Sequence, residues 1–310
     1  KEWLSLGIGS PRPVSAVTGK GVGDLLDEIF THIKRKDEDV VDEVEPIRVA
    51  IVGRTNVGKS SIVNRMLGEE RVIVSSIPHT TREPQDTFLE FEGRKFMLID
   101  TVGIRRKTNV QSALERDGLE RSINSIKKAD VVVLVLESQV TPSKQESRLA
   151  RLAVDSKAGL VIVVNKWDLI DEKRSTSSVV FEQFFRKALA FVSWAPMMFI
   201  SALQAQRTSK ILEYVMTVQV ERERVIPQED LTVFIKRAIA KQPPQWILGK
   251  RKPIIYGFTQ VGTKPPTFAL HVKESPTISY AYLRYLENSL RALYGFAGTP
   301  VMIHTEQKVK

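Results

Sequence analysis

Two stretches of this chain, VVVLVL (131–136) and LVIVV (160–164), are apolar without interruption. A strand with one wet face alternates apolar and polar side chains. An unbroken run suits a strand covered on both faces, as in a parallel sheet between two layers of helices. Shorter runs of similar texture stand at IRVAIVG (47–53), TFLEFEG (87–93), KFMLID (95–100) and MMFIS (197–201). Helical periodicity fills the intervals at 59–67, 111–128, 143–156 and 178–190. This alternation predicts a doubly wound α/β domain over residues 47–218.

The texture changes after that. A helix (LTVFIKRAIAKQ) leads into the Pro-rich, basic PPQWILGKRKP, then strands IIYGFTQVG and PTFALHVK, a helix over 279–294 and a last strand, PVMIHTEQ. These predict a small α+β domain over 219–310. In its second helix Leu283, Leu286, Leu290 and Leu293 are expected to face the core, with Arg284, Asn288 and Arg291 outward. Residues 231–310 carry 12 Lys+Arg against 3 Asp+Glu, so this last quarter of the chain holds nearly all of its net charge of +10. Such asymmetry points to a polyanionic partner, nucleic acid above all.

Other classes fall away on composition. Without cysteine the chain has no disulfide or thiolate metal site, which fits a reducing compartment. Its four His are far apart in sequence with no metal-ligand spacing, which argues against zinc. No apolar run approaches the roughly 18 residues of a membrane span. The first residue is Lys1 and no signal peptide opens the chain, so it reads as part of a longer protein.

GRTNVGKS (53–60) follows a buried strand and opens a helix, the setting of a phosphate-binding P-loop. Gly53 and Gly58 let backbone N–H groups turn toward a phosphate, Lys59 reaches its oxygens, and Ser60 offers a hydroxyl to Mg²⁺. NKWD (165–168) follows another buried strand. A carboxylate there, Asp168, can accept from guanine N1–H and N2–H, a donor pair that adenine lacks. Asn165 holds the loop and reaches the base edge, and the Lys166 stem covers one base face. DTVG (100–103) ends a further strand, placing Asp100 toward Mg²⁺ and the Gly103 N–H toward a γ-phosphate. PHTTREPQD (78–86) lies where a γ-phosphate-sensing loop belongs. Thr81 is the expected Mg²⁺ ligand, with Thr80 as the neighbour that can replace it. Ser201-Ala202 completes the set, its backbone N–H expected at guanine O6. The nucleotide contacts thus comprise Gly53, Arg54, Thr55, Asn56, Val57, Gly58, Lys59, Ser60, Ser61, Asp100, Thr101, Val102, Gly103, Ile104, Asn165, Lys166, Asp168, Ser201 and Ala202, with Lys59, Thr81 and Gly103 nearest the chemistry. Ile104 stands where many GTPases carry a water-orienting Gln, which predicts slow intrinsic hydrolysis of GTP to GDP.

PVSAVTGKGVGDLLDEIF (13–30) repeats the pattern of ISALQAQRTSKILEYV (200–215): a strand end, Ser-Ala, a polar loop and an amphipathic helix. DEDVVDEVEP (37–46), with six acidic residues, reads as a linker after it.

With these residues in place the chain resembles the EngA/Der family of Era-like GTPases, which carry two G domains in tandem followed by a KH-like domain. The acidic linker, the SAVTGKG segment and the tail PPTFALHV…SYAYLRYLENSLRALYGFAGTPV carry that resemblance over the whole chain. It implies a factor in assembly of the large ribosomal subunit, contacting rRNA, cytoplasmic, monomeric and not membrane-bound. Residues 1–36 would be the end of a first G domain, 37–46 the linker, 47–218 the second G domain and 219–310 the KH-like domain. The resemblance further implies that Asn56 ligates K⁺ where an arginine finger would otherwise act. The chain departs from the family at Val102 (an Ala there), at His79 (a Gly) and at QAQRT, where the first copy keeps TGKG. GFAG (295–298) has the form of a KH phosphate-gripping loop but lies between helix and strand, so it reads as a turn. A different class of function, a nucleotide-dependent docking switch for a protein partner, is motivated by the missing Gln. A tRNA-modifying GTPase would need a catalytic segment that this sequence does not display.

Overall fold

Both unbroken apolar runs form strands sealed on two faces: Val131–Leu136 and every residue of 159–165 are buried. The computed structural model describes residues 13–15, 17–32, 45–75, 86–101, 113–170, 177–244, 253–273 and 278–307. The chain divides into two units, Lys1–Glu45 and Pro46–Lys310.

In the first unit a tight loop leads into α1 (Val22–His32), whose Leu26, Ile29 and Phe30 are exposed.

In the second unit the order is β1 (Ile47–Val52), α2 (Lys59–Leu67), β2 (Val72–Ser75), β3 (Thr87–Phe91), β4 (Arg94–Leu98), α3 (Ala113–Lys128), β5 (Val131–Glu137), α4 (Lys144–Asp155), β6 (Gly159–Asn165), α5 (Ser177–Ala188), β7 (Met197–Phe199) and α6 (Lys210–Glu223). These strands make one sheet in the order β2-β3-β4-β1-β5-β6-β7. From β4 to β7 neighbours run parallel, as expected. The other end does not: β2 and β3 are antiparallel. Glu92 and Gly93, both at positive φ, form a two-residue hairpin turn that folds β3 back on β4. Edge strand β2 was not foreseen, because four residues with Ile73 and Val74 exposed bury too little to leave a pattern.

Alternate residues of each central strand feed opposite cores. Val49, Ile51, Val133 and Val161 pack with Ile62, Met66, Ile211 and Val215 of α2 and α6. Ala50, Val52, Val132 and Ile162 pack with Ile126, Leu149 and Phe185 of α3, α4 and α5. The P-loop, NKWD and Ser-Ala segments all leave the carboxyl edge of this sheet, where ligands of open α/β folds bind.

The C-terminal domain holds α7 (Gln228–Lys241), β8 (Ile254–Gly262), β9 (Thr267–Lys273), α8 (Tyr280–Tyr294) and β10 (Met302–Gln307), with sheet order β10-β9-β8. Phe258 and Phe268 stack at 5.3 Å between the sheet and the helices. The buried stripe of α8 is Tyr282, Leu286 and Leu290, which keeps Leu286 and Leu290 of the expected leucine stripe and adds Tyr282. Leu283 is half-buried, and Leu293 is 58% exposed, a correction to its expected core role.

The two domains of this unit are bonded together. The Gly298 carbonyl accepts from Leu160 N–H (2.7 Å) at the start of β6, and Gly298 N–H donates to Trp194 O (3.0 Å). Phe296 N–H donates to the Glu221 carboxylate at 2.7 Å. GFAG is therefore a docking turn, buried at Phe296 and Gly298, as its position between helix and strand suggested. The expected outward stripe is corrected at Arg291. Its guanidinium donates to Phe296 O (2.8 Å) and Thr299 O (3.0 Å), pairs with Glu287 (2.9 Å) and lies over the Trp194 ring at 4.9 Å. Sequence spacing placed it opposite the leucines; the partner domain covers that side.

The histidines are not all separated. Adjacent strands bring His271 and His304 to either side of Glu306, at 3.7 and 3.1 Å. Among the described residues no helix is long and apolar enough to cross a membrane.

Candidate active site

The loop between β1 and α2 turns through left-handed backbone at Asn56 (φ 62°) and Gly58 (φ 97°). At Gly58 a Cβ would sit 2.2 Å from Asn165 Nδ2, so only glycine lets the phosphate loop and the base loop meet. Lys59 opens α2 and folds its ammonium back over the loop, donating to Gly53 O (2.9 Å) and Arg54 O (2.5 Å). Burial lowers its pKa to about 8, with Glu146 pulling the other way. Arg54 bonds Glu146 at 3.0 Å, with the carboxylate 1% exposed. Glu146 also closes a capping box with Ser143 at the start of α4. It was not anticipated as part of the site, although SKQE is the sequence signature of such a box. Ser60 is half-buried at the helix start, while Ser61, Thr55 and Asn56 are exposed and Val57 is buried.

Asp100 follows β4, the parallel neighbour of β1, so it emerges beside the phosphate loop at the same sheet edge. Its N–H donates to Asp86 (2.9 Å), and buried Thr101 meets the Thr87 hydroxyl at 2.6 Å. Thr81, Val102, Gly103 and Ile104, with His79, lie outside the described residues.

Asn165 ends β6 and is 2% exposed. Its Nδ2 donates to Val57 O (2.9 Å) and its Oδ1 accepts from Ala202 N–H (3.0 Å). One side chain thus fastens three loops from distant parts of the sequence. Lys166 takes left-handed backbone (φ 63°), and its ammonium pairs with Glu137 at 2.7 Å, holding the stem along the loop. The buried Trp167 ring packs on Phe181 and Phe199, and its backbone N–H donates to Ile200 O at 3.0 Å. Asp168 accepts from the Ser201 hydroxyl at 2.5 Å. Glu137 was also missed; it closes β5 directly opposite Asn165 and carries no motif of its own.

Ser201 N–H bonds Gln206 O (3.2 Å) and Ala202 N–H bonds Asn165 Oδ1 (3.0 Å), so both expected base-edge residues also shape the loop.

Ser15 and Ser201 open loops closed by matching hydrogen bonds. Ser15 N–H bonds Lys20 O and Thr18 N–H bonds the Ser15 hydroxyl; Ser201 N–H bonds Gln206 O and Gln204 N–H bonds the Ser201 hydroxyl. Positive φ falls at Gly19 and Gly21 in the first copy and at Ala205 and Arg207 in the second. The second copy holds left-handed backbone without glycine, at roughly 1–2 kcal/mol per residue, so the changed letters keep the old shape.

The arrangement can take a phosphorylated purine: hydrogen-bonding backbone and an ammonium at one end, a positioned carboxylate at the other. Because Lys59 is half-neutral near pH 8, binding an anionic triphosphate re-protonates it. Nucleotide affinity should be flat at about pH 7 and fall above about pH 8, with net proton uptake on binding. Calorimetry in buffers of different ionisation enthalpy measures this. An affinity flat to about pH 9 with no proton uptake would contradict the placement of Lys59.

Residues 48–166 match the family model described as 50S ribosome-binding GTPase, and residues 225–305 match the KH-domain-like region of EngA bacterial GTPase enzymes. The chain is 44% identical over 308 residues to GTPase Der of Caldanaerobacter subterraneus subsp. tengcongensis, covering 99% of this chain and 69% of the relative. It is 41% identical over 309 residues to GTPase Der of Desulfitobacterium hafniense, with the same coverage. With GTPase Der of Chloroflexus aggregans it shares 40% over 302 residues, or 97% of this chain and 67% of that one. Identity at this level through phosphate loop, base loop and KH-like tail together means that this chain belongs to the GTPase Der family and binds and hydrolyses GTP.

Proposed function

We propose that this chain is a GTP-gated factor in assembly of the large ribosomal subunit, binding rRNA through its basic C-terminal domain. The observation that carries this reading is strand β6. Its start is bonded to Gly298 of the C-terminal domain and its end, Asn165, fastens the nucleotide loops. Seven residues of strand, about 20 Å, connect the two. The +9 balance of residues 231–310 supports a polyanionic partner, and the family model's description supports a ribosomal one. The bacterial relatives and the absence of cysteine support a cytoplasmic setting.

Within this reading 47–218 is a G domain and 219–310 a KH-like domain. Residues 1–36 are the end of another G domain and 37–46 a linker, supported by the duplicated Ser-Ala loop. Asn165, Lys166 and Asp168 hold guanine, with Ser201 and Ala202 shaping its loop. Gly53 through Ser61, with Lys59 central, hold the phosphates; Thr101, Val102, Gly103 and Ile104 border the γ-phosphate. Ser60, Thr81 and Asp100 form a set of hard oxygen donors suited to Mg²⁺, which neutralises charge between phosphoryl oxygens when bound. The left-handed loop that the Gly58–Asn165 approach requires gives this group its cradle. Lys59 contributes a desolvated positive charge, and Arg54, spent on Glu146, does not act as an arginine finger. With Ile104 unable to orient water, turnover is slow unless another group organises the site.

Exposed Asn56 is the proposed K⁺ ligand. GTP turnover should then run at least about tenfold faster in KCl than in NaCl at equal ionic strength, since one well-placed cation can supply a large share of the missing charge. Asn56→Ala should erase the difference; equal rates in both salts for the unaltered chain would remove potassium from the mechanism.

The RNA reading is tested by fluorescence anisotropy with labelled large-subunit rRNA fragments across NaCl concentration. Affinity should fall steeply with salt, and the slope should flatten by about 2 when Lys250, Arg251 and Lys252 are changed to Ala. Those three lie outside the described residues. Absence of rRNA binding would leave a docking switch for a protein.

A further inference from the structure

A cavity of about 530 Å³ opens between the GTPase domain and the C-terminal domain, away from the nucleotide loops. Its walls come from α4 and the segment around Trp194 on one side, and from α8 and β10 on the other. We propose that this cleft seats one unpaired nucleotide of single-stranded RNA. The inference rests on the RNA reading above and adds to it a site and a kind of RNA.

The seam beneath is closed by Gly298 and Arg291, but the cleft itself presents side chains that make few internal bonds. Arg151 lies with its guanidinium 4.4 Å from the Phe191 ring centroid. Across the cleft the Arg284 guanidinium lies 5.9 Å from the ring centroid of Tyr280, a residue that is 75% exposed. Each wall therefore carries a planar cation beside an aromatic ring, groups on whose planes unstacked bases pack regardless of sequence. The volume falls in the range of small-molecule sites, and a nucleotide is of that size. Asn288 and Asp155, both exposed in the lining, supply donors and an acceptor for a base edge. Charge favours an anionic backbone at the mouth. Glu287 is neutralised by Arg291 at 2.9 Å, which leaves Arg151 and Arg284 against Asp155 alone. A duplex cannot present an isolated base to such a slot, so the site selects single strands.

A bland alternative is a solvated seam between two domains. It explains the exposed arginines but not why each sits by an aromatic ring on a facing wall. Arg284→Lys separates these accounts, because it keeps the charge and loses the plane.

The test uses the whole chain with a fluorescein-labelled 12-nucleotide adenosine RNA and a duplex of the same length, at fixed salt. Single-strand binding should weaken about tenfold or more in Arg284→Lys and in Tyr280→Ala, with duplex binding and GTP turnover unchanged. Unchanged single-strand affinity in both variants, with the salt slope of rRNA binding still flattened on neutralising residues 250–252, would overturn the cleft and spare the RNA reading. No RNA binding by the unaltered chain would overturn both. As a check independent of affinity, p-benzoylphenylalanine at position 280 should cross-link to RNA when the chain is irradiated with large ribosomal subunits. An adduct destroyed by protease on the subunit side and resistant to ribonuclease would show a protein occupant and overturn the proposal.

Discussion

Asp168→Asn should lower GTP affinity by three orders of magnitude or more and make xanthosine triphosphate the better ligand. Asp168 is held by the Ser201 hydroxyl at 2.5 Å, on a turn anchored by Asn165 and buried Trp167. An asparagine of the same shape keeps an oxygen for Ser201 and turns an N–H₂ toward the base. Guanine then meets donor with donor at its N2 amine, whereas xanthine carries a carbonyl there. Sites that hydrogen-bond a ligand group reject the analogue lacking it by about 10⁴-fold. Competition binding against a fluorescent guanine nucleotide measures the change. Unaltered GTP affinity would mean that the base is read elsewhere.

The second large effect belongs to Gly298→Ala. Its Cβ would stand 2.2 Å from Val218 Cγ2 and 3.1 Å from Pro196 Cδ, on a backbone at φ +73°. Overpacking costs about 1–3 kcal/mol, and a non-glycine residue in left-handed backbone about 1–2 kcal/mol. The turn must move, which strains the bond from Leu160 N–H to Gly298 O. The single calorimetric transition expected of the joined domains should split or fall by several degrees, and a protease site should open near residue 225. Ala297→Ser, one residue away and exposed, should do nothing. A Gly298→Ala protein that melts like the parent would show that the domains are not held at this turn.

How much of this was written in the sequence depends on the range of each interaction. Elements that bury two faces or carry a full helical period announce themselves locally, which is why α2, at Lys59–Leu67, and the central strands fell within a residue or two of expectation. β2 did not, being short, at an edge and half-exposed. Motif residues of the nucleotide site were legible because a phosphate and a purine each demand particular groups at fixed spacing. Their supports were less so. Glu146 and Glu137 lie dozens of residues from the groups they hold, and each looks like any surface carboxylate in its own segment. That the N–H groups of Ser201 and Ala202 also bond Gln206 and Asn165 is likewise invisible in the sequence. Arg291 was misread for the same reason: helical spacing says which side of α8 it occupies, not that another domain covers that side.

We propose that nucleotide state, sensed at the loops fastened by Asn165, governs attachment of the basic C-terminal domain to the ribosome. The most direct measurement is sucrose-gradient sedimentation with ribosomal subunits, in GDP and in a non-hydrolysable GTP analogue. The chain should migrate with the large subunit in the analogue and be released in GDP. Failure to migrate with the large subunit in either state would contradict it.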